Sequence, residues 1–341
     1  MAETPPAAAT AAQTSPAPAA SGDATRRDLG LMHRAARLYY VDDLNQAEIA
    51  ARLSVSRPTV SRLLAEARRV GIVQITVHDP ESLVTGGVDP GELAAALGLD
   101  RVWLAPQHPG TRSGGPDVGT RLAEPVGEAL REAGLRSGDV LLVSSGRTLW
   151  ELSRAALPAF GGCAIVPTVG GVSEPEAWHQ TNEITRALAE RVRGRPHFLF
   201  AQAMPSEAMR ATLVEDPEFR RVTGFWAEAA AALVGIGAPP AQRDSISTSV
   251  PLDDTGLRAA VGDVCLNFYR EDGGEVTFPG ADRMVRIAPE QLRRVPRTIG
   301  VAVGEEKVPS IVGGARAGLF NRLVTDAPTA QALLESLGAG Q

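Results

Sequence analysis

Residues 44–73, LNQAEIAARLSVSRPTVSRLLAEARRVGIV, decide how this chain is read. Ile49, Ala50 and Leu53 share one face of a helix that starts near Gln46. Val60, Leu63, Leu64, Ala67 and Val70 follow the i, i+3, i+4, i+7 spacing, so a second helix buries one stripe. Between them the turn Ser54-Val55-Ser56 is short; Val55 can plug the angle, and Ser56 is a good N-cap for the second helix. Pro58 falls in the first turn, where its missing N–H costs nothing. No Glu or Gln stands at N3, so a full capping box is not expected there. An upstream helix over 29–40 supplies a third member through Leu31, Ala35, Leu38 and Tyr39. A second helix that is polar and basic at its start is the form that enters a DNA groove. Arg suits guanine, and Ser or Thr suits phosphate or either base. Gln46, Ser56, Arg57, Pro58, Thr59, Ser61 and Arg62 are the expected contacts to double-stranded operator DNA. The plain alternative is a helical hairpin with a solvated Arg face.

Charge favours DNA. Residues 26–79 hold nine Arg against six Asp or Glu, a formal +3 in a chain of net −6. A basic segment on an acidic body is what a DNA reader joined to a different domain should show. At 341 residues there is room for one small and one large domain, and 44% hydrophobic residues suffice for a sizeable core. No run approaches the roughly 18 apolar residues of a membrane span, so no membrane role is expected. Residues 1–25 are rich in Ala, Pro, Thr and Ser without a basic start, which predicts a disordered tail, no signal peptide and a cytoplasmic setting. Cys163 and Cys265 lie in apolar, strand-like runs and read as buried inert thiols. The five His lack ligand spacing, so neither metal nor cofactor is expected. Of the 34 basic residues 33 are Arg, and the one Lys is Lys307.

After a linker at 79–90 the pattern alternates strand and helix. Short helices are expected at 93–97 and 148–156, and longer ones at 118–133 and 182–193. Strands are expected at 101–104, 140–143, 164–169, 197–201, 232–236, 264–269, 298–303 and 322–325, with a Gly/Pro-rich loop at 107–117. Apolar strands separated by amphipathic helices predict an α/β domain with a mainly parallel sheet over 91–338. Ligands in such sheets bind where strand ends turn into helices. Three loops fit: Ser144-Ser145-Gly146-Arg147-Thr148, Gly170-Gly171, and Gly304-Glu305-Glu306-Lys307. Gly lets backbone approach an anion, Ser, Thr and Arg add donors, and Lys307 can reach a phosphate or a sugar hydroxyl.

These segments together resemble the SorC-type sugar-sensing transcriptional regulators, over about 31–334. The motifs are ARLYYVDDLNQAEIAARLSVSRPTVSRLLAEARRVGIV, SSGRTL, PTVGG followed by Asn182, LVGIG (233–237), AVGDVCLNFY (260–269), GEEK (304–307) and RLVTDAPTA (322–330). The resemblance implies an N-terminal helix-turn-helix. It also implies an effector domain like sugar-phosphate isomerases, deaminases and CoA transferases, and a homodimer or homotetramer. It implies that Gly146, Arg147, Thr148 and Lys307 face a sugar or sugar-phosphate effector, with Gly170, Gly171, Asn182 and Asp263 lining the same cleft; the loops themselves add Ser145 and Glu305. Asp263 reads equally as a structural turn residue. The chain departs from the family pattern at Leu266, where Gly is usual, and at Asn267, Arg270 and Val303, which leaves open a non-phosphorylated or non-sugar effector. An enzyme using Glu305, Glu306 and Lys307 for acid–base work is a further reading, but fold analogy carries no activity and no catalytic residue is assigned.

Overall fold

The computed structural model describes residues 21–73, 87–106, 118–243, 250 and 254–338. The chain divides into two compact units, 1–78 and 79–341.

The first unit is three helices, α1 Ser21–Tyr40, α2 Gln46–Leu53 and α3 Arg57–Arg69. They close on a small core of Ala35, Ala36, Ile49, Ala50, Val60, Leu64 and Ala67, with Val55 and Leu63 packed against it. The termini are set by side chains. The Asn45 Oδ1 accepts the N–H groups of Ala47 (3.0 Å) and Glu48 (3.1 Å), and Glu48 accepts the Asn45 N–H at 2.8 Å, a complete capping box on α2. Ser56 caps α3, its Oγ accepting the Thr59 N–H at 3.3 Å. Ser54 ends α2 in the left-handed region, at φ 54°. Two expectations need correction. Helix α1 starts at Ser21, inside the expected tail; its first turns carry no apolar period that a sequence could show, while residues 1–20 lie outside the described residues. Val70 does not belong to the buried stripe. It is the C-cap of α3 and 41% exposed; the chain turns back so that the Val73 N–H donates to the Ala67 carbonyl (3.0 Å), and Ile72 and Val73 cover the core instead.

The second unit is an α/β domain with a mixed sheet. Its strands are β1 Arg101–Ala105, β2 Val140–Val143, β3 Ala164–Pro167, β4 Arg195–Pro196, β5 Ala229–Gly237, β6 Gly262–Val264, β7 Asn267–Tyr269, β8 Glu275–Val276, β9 Thr298–Val301 and β10 Arg322–Asp326. Seven are parallel in the order β1-β10-β9-β5-β2-β3-β4, and β6, β7 and β8 continue from the end of β5 as antiparallel ribbons. Alternate residues serve two cores, one on each sheet face. Val140, Leu142, Ala232 and Val234 point to one, and Leu141, Val143, Ala231 and Leu233 to the other. Covering both faces is what makes these strands read as unbroken apolar runs.

The expected linker and the loop at 107–117 lie mostly or wholly outside the described residues. Asp89 and Pro90, expected in that linker, instead cap and open the helix Pro90–Leu97. The expected helix over 148–156 is the shorter Arg147–Leu152. The expected strand over 197–201 is not one; only Arg195–Pro196 pair with β3. β3 ends at Pro167, which has no N–H to extend the ladder, and the Asn182 side chain takes up the backbone of Leu199 instead, accepting its N–H at 3.0 Å and donating to its carbonyl at 3.3 Å. The expected strand over 264–269 is a hairpin. Cys265 (φ 53°) and Leu266 (φ 59°) form its two-residue loop, both in the left-handed region that a type I′ turn requires. Neither is the Asn or Gly that signals such a turn. Asp263 holds it, accepting the Leu266 N–H at 2.8 Å.

Candidate functional site

In the first unit, α3 presents Arg57, Pro58, Ser61 and Arg62 to solvent. Arg57 and Ser61 lie one turn apart, as do Pro58 and Arg62, so the four form one exposed patch at the start of the helix. Val60 and Leu64 fix its orientation by burying the opposite side. Ser56 and Thr59 are less free than expected. Their hydroxyls pair at 2.8 Å, and Thr59 is half-buried. Gln46 opens α2 and is half-buried. The patch therefore offers two guanidiniums and a hydroxyl to a nucleic acid, with Ser56 and Thr59 bracing the helix end.

In the second unit, strand order reverses beside β5. From the neighbouring pair β2 and β5 the chain runs outward in opposite directions, through β3 to β4 and through β9 to β10. A crevice at the carboxyl ends of such strands is the usual ligand position. Here it is a cleft of about 370 Å³. The loops after β2, β3, β5 and β9 and the β6–β7 hairpin line it. Gly146 and Gly304, at φ 122° and 113°, each turn a strand end into a helix in a conformation that L side chains rarely adopt.

Of the expected effector residues, the cleft brings together Ser145, Gly146, Arg147, Thr148, Gly170, Asp263 and Lys307. Gly171, Asn182 and Glu305 do not line it. The Gly171 N–H donates to the Ala201 carbonyl at 2.8 Å, Asn182 holds Leu199, and Glu305 is exposed while its neighbour Glu306 faces the cleft. Gly170 also has a structural reason: its N–H donates to the Val285 carbonyl (2.9 Å), and an added Cβ would lie 2.8 Å from the Ala201 carbonyl oxygen.

Charge in the cleft is closely interlocked. The Lys307 Nζ donates to the Ile236 carbonyl at 2.7 Å. Burial pushes this amine down to about 8, Arg243 and Arg147 push the same way, and Glu306 and Asp263 oppose them. Asp263 is buried with both oxygens engaged, one by the Arg243 guanidinium and the other by the Leu266 N–H. Arg147 is exposed and lies over the Trp178 ring, 4.7 Å from its centroid, while the Trp178 carbonyl accepts the Gly146 N–H at 2.9 Å. Sequence reasoning missed Arg243, Trp178 and the Cys265–Leu266 turn, and within the Gly304–Lys307 loop it assigned Glu305 rather than Glu306 to the effector. Arg243 is one of 33 Arg and sits in no motif; Trp178, a large aromatic in a polar stretch, was the one with a readable signal. Both cysteines are free and buried, and burial raises the Cys265 thiol to about 12. Among the described residues no cluster of His, Cys, Asp and Glu could hold a metal ion, and no helix is long and apolar enough to cross a membrane.

Comparison with known proteins places this architecture. The Sugar-bind family model, a sugar-binding domain, matches residues 91–335, and a Crp-like helix-turn-helix domain matches 28–85. The sorbitol operon regulator of Klebsiella pneumoniae is 30% identical over 90% of this chain and 98% of its own length. The deoxyribonucleoside regulator of Bacillus subtilis (strain 168) is 31% identical over 89% of this chain and 96% of its own length. The crystal structure of the full-length Klebsiella regulator SorC superposes with a TM-score of 0.64 at 30% identity, covering 90% of this chain and 99% of that one. The matched proteins are named as regulators, and both the reader helix and the sugar-type domain are matched in the order found here. The chain thus belongs to the SorC-type family of sugar-sensing, DNA-binding transcriptional regulators.

Proposed function

We propose that a carbohydrate-type effector binds the cleft at the carboxyl ends of β2, β3, β5 and β9, and that its binding changes the affinity of the α3 patch for operator DNA. The observation that carries the effector position is the lodging of the chain's one lysine, Lys307, in that cleft against the Ile236 carbonyl. Three cationic side chains (Arg147, Arg243, Lys307) meet three carboxylates (Glu151, Asp263, Glu306) in the lining. Such a balanced set suits a polyhydroxylated ligand that is neutral or carries a single phosphate better than one bearing several anionic groups. The cleft volume also falls in the range of small-molecule sites.

On the DNA side, Arg57, Ser61 and Arg62 contact base edges, with Ser56 and Thr59 setting the helix end against the phosphates. The protein acts as a homodimer or homotetramer on a roughly palindromic operator, half-sites lying about one helical turn or a multiple apart. The effector shifts the population between arrangements that differ in operator affinity. The sugar domain is read as a relative of the sugar-phosphate isomerase, deaminase and CoA transferase fold, a reading supported by its parallel order and cleft position; catalysis is not part of it. The test is a thermal-shift panel of sugars, sugar phosphates and polyols, followed by operator gel shifts with the ligand that stabilises. Lys307→Ala should keep operator binding and lose the effector response. Undiminished release of DNA by effector in that variant would sink the assignment of the cleft.

A further inference from the structure

The second unit holds a larger cavity, about 550 Å³, between the helices Glu207–Leu213 and Pro217–Gly224 and the segment 281–291. It shares no lining residue with the cleft described above. Its apolar surface comes from Phe219, Trp226, Met284 and Pro289. The Trp226 indole N–H is already committed to the Pro167 carbonyl (2.9 Å). Three guanidiniums, from Arg210, Arg220 and Arg286, face one carboxylate, Asp282. Two of the three are engaged: Arg220 with Glu215, and Arg286 with the Leu266 carbonyl (2.8 Å) and the Asn267 side-chain oxygen.

Arg210 differs. Its guanidinium carbon lies 5.6 Å from the Phe219 ring centroid. Its Nη1 is shut off from solvent with no hydrogen-bond partner among the described residues. A buried charged donor without an acceptor is costly, and an anion in the cavity would supply one. We propose that this cavity is a second small-molecule site. It takes a carboxylate or phosphate on Arg210 and packs an aromatic body against Phe219 and Trp226. The excess of guanidinium over carboxylate favours an anion, and the volume accommodates a ring with one headgroup.

The full-length protein would be titrated calorimetrically with phenyl phosphate, benzoate and inorganic phosphate. At least one aromatic anion should bind once per chain, and inorganic phosphate, lacking the ring, at least tenfold more weakly. Arg210→Met should weaken that binding tenfold or more, Arg210→Lys should retain part of it, and Lys307→Met should leave it unchanged. Equal binding in both Arg210 variants, no binding of either aromatic anion, or loss of binding in Lys307→Met would each overturn the proposal. So would an Arg210→Met variant that changes the oligomeric state while binding the anions as before, since the cavity would then be an interface between copies.

Discussion

Lys307 makes a quantitative demand on stability. Its amine falls from an ordinary 10.5 to about 8 in the folded chain, chiefly through burial. At about 1.4 kcal/mol per pH unit, the charged form is disfavoured in the folded state by roughly 3 kcal/mol. Below about pH 8 both folded and unfolded chains hold the proton, and the whole penalty is present. Between there and 10.5 the unfolded chain keeps the proton while the folded chain sheds it, so stability rises with pH across that window. Lys307→Met removes the titration at similar side-chain volume. The urea unfolding free energy of the wild type, relative to this variant, should therefore climb by up to ~3 kcal/mol between about pH 7 and pH 10. Other titrating groups are common to both proteins and cancel in the difference. All four Trp of the chain lie at or beyond Trp103, in the second unit, so their fluorescence reports the domain in question. A difference that stays flat over that pH range would refute the desolvated position of the amine.

Three further outcomes are expected. Arg62→Ala should lose about 1–3 kcal/mol of specific operator affinity if it reads a guanine, whereas a phosphate contact would weaken all sequences alike and lower the salt dependence; competitive gel shifts at two salt concentrations separate the two. Ser54→Gly should raise the stability of the first unit by roughly 0.5–1 kcal/mol, because Ser54 holds φ 54° at the end of α2, and far-UV circular dichroism on heating would register it. Asn182→Ala should destabilise the second unit by about 1–3 kcal/mol by leaving the Leu199 backbone groups unpaired, with effector affinity unchanged; a variant that loses effector while keeping its stability would return Asn182 to the ligand.

The elements with a strong local signal were legible in the sequence. α2 and α3 carried a 3.6-residue period and α3 its Ser56 cap, whereas the Asn45–Glu48 capping box of α2 was not anticipated; β2 was found at its observed limits, because four consecutive apolar residues bounded by turn residues leave little choice. The misreadings share a cause. At 264–269 the apolar pattern runs straight through a turn, which Asp263 enforces from the side; at 197–201 strand-like residues are held by a helix side chain rather than a neighbouring strand. In both places a tertiary hydrogen bond outweighs local preference.

The same division runs through the cleft. By itself the sequence determined that a basic helix-turn-helix precedes an acidic α/β body, and that Gly-rich strand ends and a lone lysine mark a ligand position, because periodicity, charge and turn chemistry are local properties. Only the tertiary structure decided which residues meet there. Glu306 rather than Glu305 faces the cleft, Arg243 joins Asp263 across 20 positions of sequence, and Lys307 reaches the carbonyl of Ile236, 71 residues away. Those meetings follow from the order in which β5, β2 and β9 lie side by side, and long-range packing sets that order where no local pattern records it.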